Sequence, residues 1–463
     1  MLSEHIDDDD DLIAPLFASR NMTQPVPRWA LAELEMPAPA AYQLIHDEMS
    51  LDGNPLLNLA SFVTTWMEPE AQQLMTEALP KNFIDAPEYP QTAEIERRCV
   101  SIIADLFHAD ATGAQAIGTS TVGSSEAVHL CGLALKWNWR ARRAKAGLPA
   151  DRPNIVTGSN VQVVWEKFAR YFDVDLRFVE MVPGRMVIGV EEAIALVDEN
   201  TIAVVGILGS TYTGEFEPIA ELDAALQKLN AATGWNVPIH VDAASGGFVA
   251  PFAYPDLAWD FRLKTVRSIN VSGHKYGLVY PGVGWAVWRS RQDLPDELLF
   301  HDAYLGEDQI TFNLNFSKGS SQVIGQYYNF LRLGRTGYTR IMAGLLATAT
   351  YLADAAEQSG HFEVLSKPDA LPVVALRLKG ERPYSSHDLS DRLRQRGWIV
   401  PAYALPPNVE HVEVLRVVVR EGFSRDMADR LIDDMRVALA DLDARPPLAP
   451  KRRPHRRGSH HIC

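Results

Sequence analysis

Three short segments carry residue types that can do chemistry together. The first is Ser272-Gly273-His274-Lys275-Tyr276-Gly277. A lysine beside glycine and histidine, just after a β-type run, lies where strand ends present reactive groups. Its amine can form a Schiff base with an aldehyde cofactor and so anchor it. The second is His240-Val241-Asp242-Ala243-Ala244-Ser245-Gly246-Gly247-Phe248, in which Asp242 closes an apolar run. A carboxylate there needs a cation to offset burial. The pyridinium nitrogen of pyridoxal phosphate is such a cation, and pairing with Asp242 keeps the ring protonated as an electron sink. Ala243, Ala244 and Ser245 leave room for a flat ring. The third is residues 118–127, Gly-Thr-Ser-Thr-Val-Gly-Ser-Ser-Glu-Ala. Ser124 and Ser125 fall at a helix start, where free amides and hydroxyls cradle phosphate. Taken singly, each has a plainer reading: a loop lysine, an Asp capping a turn, a Ser N-cap. In the order phosphate cradle, Asp242, then Lys275 33 residues later, they specify a cofactor site.

A scaffold must bring these ends together. Residues 124–145 read as a helix that stops before Gly147. The runs 154–157, 201–208, 238–242, 268–272 and 284–288 read as strands, and 162–171 and 217–229 as helices. Continuous apolar strands alternating with helices predict a mainly parallel sheet covered by helices. After about residue 340 the texture changes. A helix over 336–359, strands over 373–378, 398–404 and 412–419, and a helix over 427–442 predict a smaller α+β unit. The expected division is an N-terminal segment 1–55, a large cofactor-binding domain 56–340, a small C-terminal domain 341–444 and a basic tail 445–463.

Composition bounds the function. The 463 residues carry 44 Lys plus Arg against 59 Asp plus Glu, a formal charge of −15. Such an acidic chain is a poor match for nucleic acid, and no run approaches the roughly 18 apolar residues of a membrane span. Cys99, Cys131 and Cys463 show neither a disulfide framework nor metal-ligand spacing, so a reducing, cytoplasmic setting and no metal are expected. A secretory leader is not expected either.

The strings Leu51-Asp52-Gly53-Asn54, 62–66, Lys81-Asn82-Phe83-Ile84-Asp85, Glu88-Tyr89-Pro90, 167–171, Thr211-Tyr212-Thr213-Gly214, Asn315-Phe316-Ser317 and Gln326-Tyr327-Tyr328 carry a resemblance. Across residues 17–442 the chain resembles the glutamate decarboxylases of bacteria and plants, which are pyridoxal-phosphate enzymes of fold type I. Ser-Gly-His-Lys is shared with related decarboxylases, whereas Asn-Phe-Ile-Asp and Tyr-Pro belong more to the glutamate branch. The resemblance implies that Lys275 holds the cofactor, Asp242 pairs with its ring nitrogen, and Ala244 and Gln162 sandwich the ring. It places Thr211 at the polar edge. Ser124, Ser125, Ser272 and His274 fall on the phosphate, with Ser317 reaching over from a neighbouring subunit of a dimer or hexamer.

The implied substrate is L-glutamate and the implied product 4-aminobutanoate, with one proton consumed per turnover. Arg416 binds the α-carboxylate, a task suited to a rigid bidentate guanidinium. Ser61, Phe62, Asn82 and Asp85 meet the distal carboxylate; the family usually has Thr where Ser61 stands. An Asp facing a carboxylate requires a shared proton, which predicts activity favoured in acid. Tyr304 and His274 are the candidates to protonate Cα. Bacterial relatives use their termini as pH switches, and the five aspartates 7–11 with His455, His460 and His461 are matching parts. Plant relatives carry a calmodulin-binding tail. The tail here lacks Trp and is cut by prolines, so no such helix is expected. Two alternatives stand beside this reading: another fold-type-I enzyme acting on an acidic amino acid, such as an aspartate or sulfinate decarboxylase, and a non-catalytic binding protein.

Overall fold

The structure is a computed structural model that describes residues 28–447 and 449, apart from 34, 111, 303–308 and 367. Aspartates 7–11, Tyr304, and His455, His460 and His461 lie outside the described residues. The chain forms two units, one up to Leu57 and one from Asn58 onward. The first holds the helix Ala38–Met49, whose Pro39 sits in the first turn, where a missing amide is harmless.

The second unit is built on a seven-stranded sheet. Its strands are β1 (Ile117–Thr121), β2 (Asn154–Gly158), β3 (Asp175–Val179), β4 (Thr201–Ile207), β5 (Ile239–Asp242), β6 (Val266–Ser272) and β7 (Gly284–Trp288). They lie in the order β1-β7-β6-β5-β4-β2-β3. Strands β3, β2, β4, β5 and β6 run parallel, and β7 is antiparallel to both β6 and β1. The five strands expected from apolar runs are β2 and β4 to β7. The sheet is mainly parallel as expected, with β7 as its antiparallel strand, and the polar edge strand β1 is not among the strands expected.

Helices Ser124–Lys145 and Val163–Tyr171 bury Trp139, Trp165 and Phe168 against Ile155, Ile202 and Val205 of the sheet. Each such side chain contributes about 2 to 3 kcal/mol of burial. The same long helix turns Ala127, Leu130 and Ala134 toward Ala286 and Trp288 of β7. It therefore lies across the sheet with its N-terminus fixed at one edge.

Beyond β7 come a hairpin, β8 (Phe300–Asp302) with β9 (Gln309–Thr311), and a smaller sheet of β10 (Phe362–Ser366), β11 (Val373–Leu378), β12 (Ala402–Ala404) and β13 (Glu413–Val418). The small sheet is antiparallel throughout, in the order β10-β11-β13-β12. The strand expected over 398–404 shortens to β12: Ile399 bridges to Asn58 instead, and Pro401 has no amide to give the ladder. The stretch Ser321–Gln358 holds two helices that meet at a kink, and the helix expected over 336–359 is the second of them. The kink is at Gly334, which has φ 55° and ψ −172° and is non-helical.

Candidate active site

The parallel strands end on one edge of the sheet, where open α/β sheets bind their ligands. Asp242 closes β5 and Ser272 closes β6, and Lys275 follows in the next turn. The start of helix Ser124–Lys145 reaches the same edge. Gly284 makes this possible: a Cβ there would stand 2.5 Å from the Gly123 carbonyl carbon and 2.6 Å from the Ser124 nitrogen. Thr64 fixes the lysine turn by donating its amide to the His274 carbonyl and its hydroxyl to the Lys275 carbonyl, both at 2.8 Å.

These ends enclose a cavity of about 500 Å³. One wall is Ser124, Ser125, Ser272 and His274, with the Ser124 and Ser272 hydroxyls 2.7 Å apart. The His274 Nδ1 is buried and has no hydrogen-bond partner among the described residues. Burial, then the Lys275 cation, push the His274 pKa down to about 4, so the imidazole is neutral near pH 7. Another wall is Gln162, Thr211 and Ala244, where Gln162 Nε2 donates to Thr211 Oγ1 at 2.6 Å. Asp242 lines the floor and accepts from Trp165 Nε1 and Asn270 Nδ2, each at 2.9 Å.

Lys275 is half-buried, and its Nζ donates to Ser245 Oγ at 3.0 Å. Burial lowers its pKa to about 8; Asp242 opposes that shift and Arg416 adds to it. A third or so of such an amine is the nucleophilic free base within half a unit below that value. Arg416, from β13, lines the cavity and donates to the backbone oxygens of Ala60 and Thr211. The Phe62 ring lies 5.3 Å from Lys275 Nζ and 5.0 Å from the Arg416 guanidinium carbon, a shared cation–π platform.

Pyridoxal phosphate fits this donor set. The hydroxyls, the helix amides and the orphaned His274 nitrogen match a phosphate, Asp242 matches a ring cation, and Lys275 matches an aldehyde. Residues 32–379 match the pyridoxal-dependent decarboxylase conserved domain. Glutamate decarboxylase of Solanum lycopersicum is 54% identical over 96% of this chain and 89% of its own. That of Lactococcus lactis is 48% identical over 94% of each. The solved Lactobacillus brevis glutamate decarboxylase is 47% identical with a TM-score of 0.89, covering 92% of this chain and 97% of its own. The chain belongs to the glutamate decarboxylase family. It is a pyridoxal-phosphate-dependent decarboxylase of fold type I.

Four of the expected family positions do not line this cavity. Ser61 lies beside it, its hydroxyl accepting from the Val63 amide at 3.0 Å. Asn82, Asp85 and Ser317 gather elsewhere. Asn82 Nδ2 donates to Asp85 Oδ1 at 3.3 Å and to Ser317 Oγ at 3.4 Å. The Phe83 amide donates to the Lys318 carbonyl at 2.9 Å, and Lys318 Nζ donates to Ser120 of β1 at 2.8 and 2.9 Å. This anchoring to the edge strand separates the cluster from the lysine. Sequence reasoning missed Trp165 and Asn270, and read Ser245 only as room for the ring, not as a partner of Lys275. Asn270 had a signal, a polar side chain between Ile269 and Val271 in β6; Trp165 had none.

No helix among the described residues is long and apolar enough to cross a membrane. No group of metal-ligating side chains occurs among them either.

Proposed function

We propose that this protein converts L-glutamate and one proton to 4-aminobutanoate and CO₂. The observation that carries the reading is the convergence of Lys275, Asp242, Arg416 and the helix start at Ser124 on one cavity. When bound, the cofactor supplies an electron sink for the pair released as the Cα–carboxylate bond breaks. Lys275 holds its aldehyde carbon, and the low amine pKa favours that capture. Asp242 accepts from the ring nitrogen. Ser124, Ser125, Ser272 and His274 hold the phosphate, and Gln162, Ala244 and Thr211 flank the ring.

Arg416 orients the α-carboxylate, and Phe62 screens it from water. His274 or Tyr304 delivers the proton to Cα. The distal carboxylate meets Ser61 and Phe62, together with Asn82 and Asp85 of a second copy, whose Ser317 reaches the phosphate. Asn82 is hydrogen-bonded to Ser317, so if Ser317 serves a neighbouring cavity then Asn82 and Asp85 go with it. Asp85 against a carboxylate shares one proton, which favours acid. The protein acts as a dimer or hexamer in the cytoplasm.

The test is turnover of the purified holoprotein on L-glutamate, L-aspartate and L-cysteine sulfinate across acid to neutral pH. Formation of 4-aminobutanoate from glutamate, absent in Lys275→Ala, supports the reading. Faster turnover of aspartate or the sulfinate replaces the substrate with that acid.

A further inference from the structure

Asp242 ends a chain of buried hydrogen bonds that the proposed reaction does not yet use. Its Oδ1 accepts from Asn270 Nδ2 at 2.9 Å and from the Ala244 amide at 3.2 Å; its Oδ2 accepts from Trp165 Nε1 at 2.9 Å. A carboxylate oxygen accepts about two hydrogen bonds. Oδ1 is therefore filled, and Oδ2 has room for one further donor.

The directions of the next bonds follow without seeing a hydrogen. A carboxylate only accepts, so the Asn270 amide nitrogen faces Asp242 and its Oδ1 faces His240. That oxygen is 2.8 Å from His240 Nε2, so Nε2 carries a proton. His240 Nδ1 is 2.8 Å from Ser268 Oγ and, as the bare nitrogen, accepts from that hydroxyl. Ser268 donates to His240, His240 to Asn270, and Asn270 to Asp242. Aligned donors polarise one another in a low dielectric. The β5–β6 register pairs His240 with Ser268 and Asp242 with Asn270, which puts all four side chains in reach. Ser268, His240 and Asn270 are fully buried, and the Trp165 ring lies 5.3 Å from the His240 ring.

We propose that Ser268, His240 and Asn270 form a one-way hydrogen-bond relay that, with Trp165, presents Asp242 Oδ2 to the cofactor's ring nitrogen. They are positioning residues, and the inference rests on the cofactor reading above. Burial holds the His240 pKa below its ordinary value against the pull of Asp242, as a neutral link requires. The other titratable groups facing the network are Lys275 and Glu217, which act with Asp242, and the Cys131 thiol beside Ser268, which burial pushes up.

The experiment uses the holoprotein and its cofactor-free form. His240→Phe keeps the ring and removes the donor; His240→Gln returns an N–H where Nε2 stands. His240→Phe is expected to lower kcat roughly two- to tenfold with little change in KM, the range of one neutral hydrogen bond. The pH at which the cofactor's absorbance reports loss of the ring proton should move down. His240→Gln should recover most of both, and Ser268→Ala should give a smaller change of the same sign. In the cofactor-free protein, ¹⁵N-histidine NMR should show His240 as the neutral Nε2–H tautomer across the range where exposed imidazoles titrate. A wild-type kcat and spectral midpoint in His240→Phe overturns the proposal, and so does an Nδ1–H tautomer. If His240→Phe does not fold, Ser268→Ala and the tautomer decide. A wild-type holoprotein with no cofactor band defeats the proposed function instead.

Discussion

The cavity around Lys275 and the cluster of Asn82, Asp85 and Ser317 are built on opposite terms. The cavity groups converge from the ends of neighbouring parallel strands, with Asp242, Ser272 and Arg416 buried and Lys275 and His274 half-buried, and one chain assembles them. The cluster sits at the β1 edge, where Asn82 and Asp85 are half-buried and Ser317 is exposed. Its side chains bond to one another and, through Lys318, to β1. A reaction centre that must exclude water is placed inside one fold. Groups proposed to recognise the far end of the substrate are placed where a second copy can present them.

The largest effect expected is on the cavity side. Lys275→Ala should lower 4-aminobutanoate formation roughly a thousandfold or more and remove the cofactor's absorbance band. Asp242→Asn keeps the shape and loses the charge, and should lower kcat roughly a hundredfold. Arg416→Lys keeps the charge and loses the fork, and should raise KM about tenfold. Each is read from steady-state kinetics.

The cluster side is tested by mixing. Co-assembled Lys275→Ala and Asp85→Ala subunits should recover up to about a quarter of wild-type activity, since half the dimers are mixed and half of their sites are intact. No recovery over the separate variants would return Asp85 to its own chain's site.

What the sequence made legible follows the same division. Lys275, Asp242 and Ser124 stood out because strand ends and helix starts can be read locally, and their chemistry is carried by residue type. Gln162, Thr211 and Arg416 came only through resemblance, since nothing in their own neighbourhoods marks them. The supports of Asp242 were hidden by distance along the chain: Trp165 is 77 residues from its partner and Asn270 is 28. Strand β1, Ile-Gly-Thr-Ser-Thr, has no apolar run, because pairing with β7 rather than burial of large side chains defines it. The texture change near 340 has a backbone break close by, the single non-helical residue Gly334 between two helices.

Two smaller effects are expected in the pH response. The lowered Lys275 pKa implies that cofactor capture by the cofactor-free protein rises with pH up to about 8 and then levels. Continued rise toward the value of an exposed lysine would mean that the amine is not buried. His240 and His274 act in the same sense, in a lower pH range. Both are held neutral when folded and protonate more readily when unfolded, so the unfolded state binds more protons as pH falls below 6.5. Stability is full above that pH and falls by roughly 1.4 kcal/mol per unit for each such imidazole. Thermal melts of the cofactor-free protein should show this loss, and His240→Gln should reduce its slope. Acid is thus expected to favour turnover while weakening the cavity.

The most direct measurement follows the carbon that leaves. Holoprotein given L-glutamate labelled with ¹³C at C1 should release labelled CO₂ and unlabelled 4-aminobutanoate, while label at C5 should stay in the product. Label from C1 retained in the product, or no CO₂ released, would contradict a decarboxylase acting at the α-carboxylate.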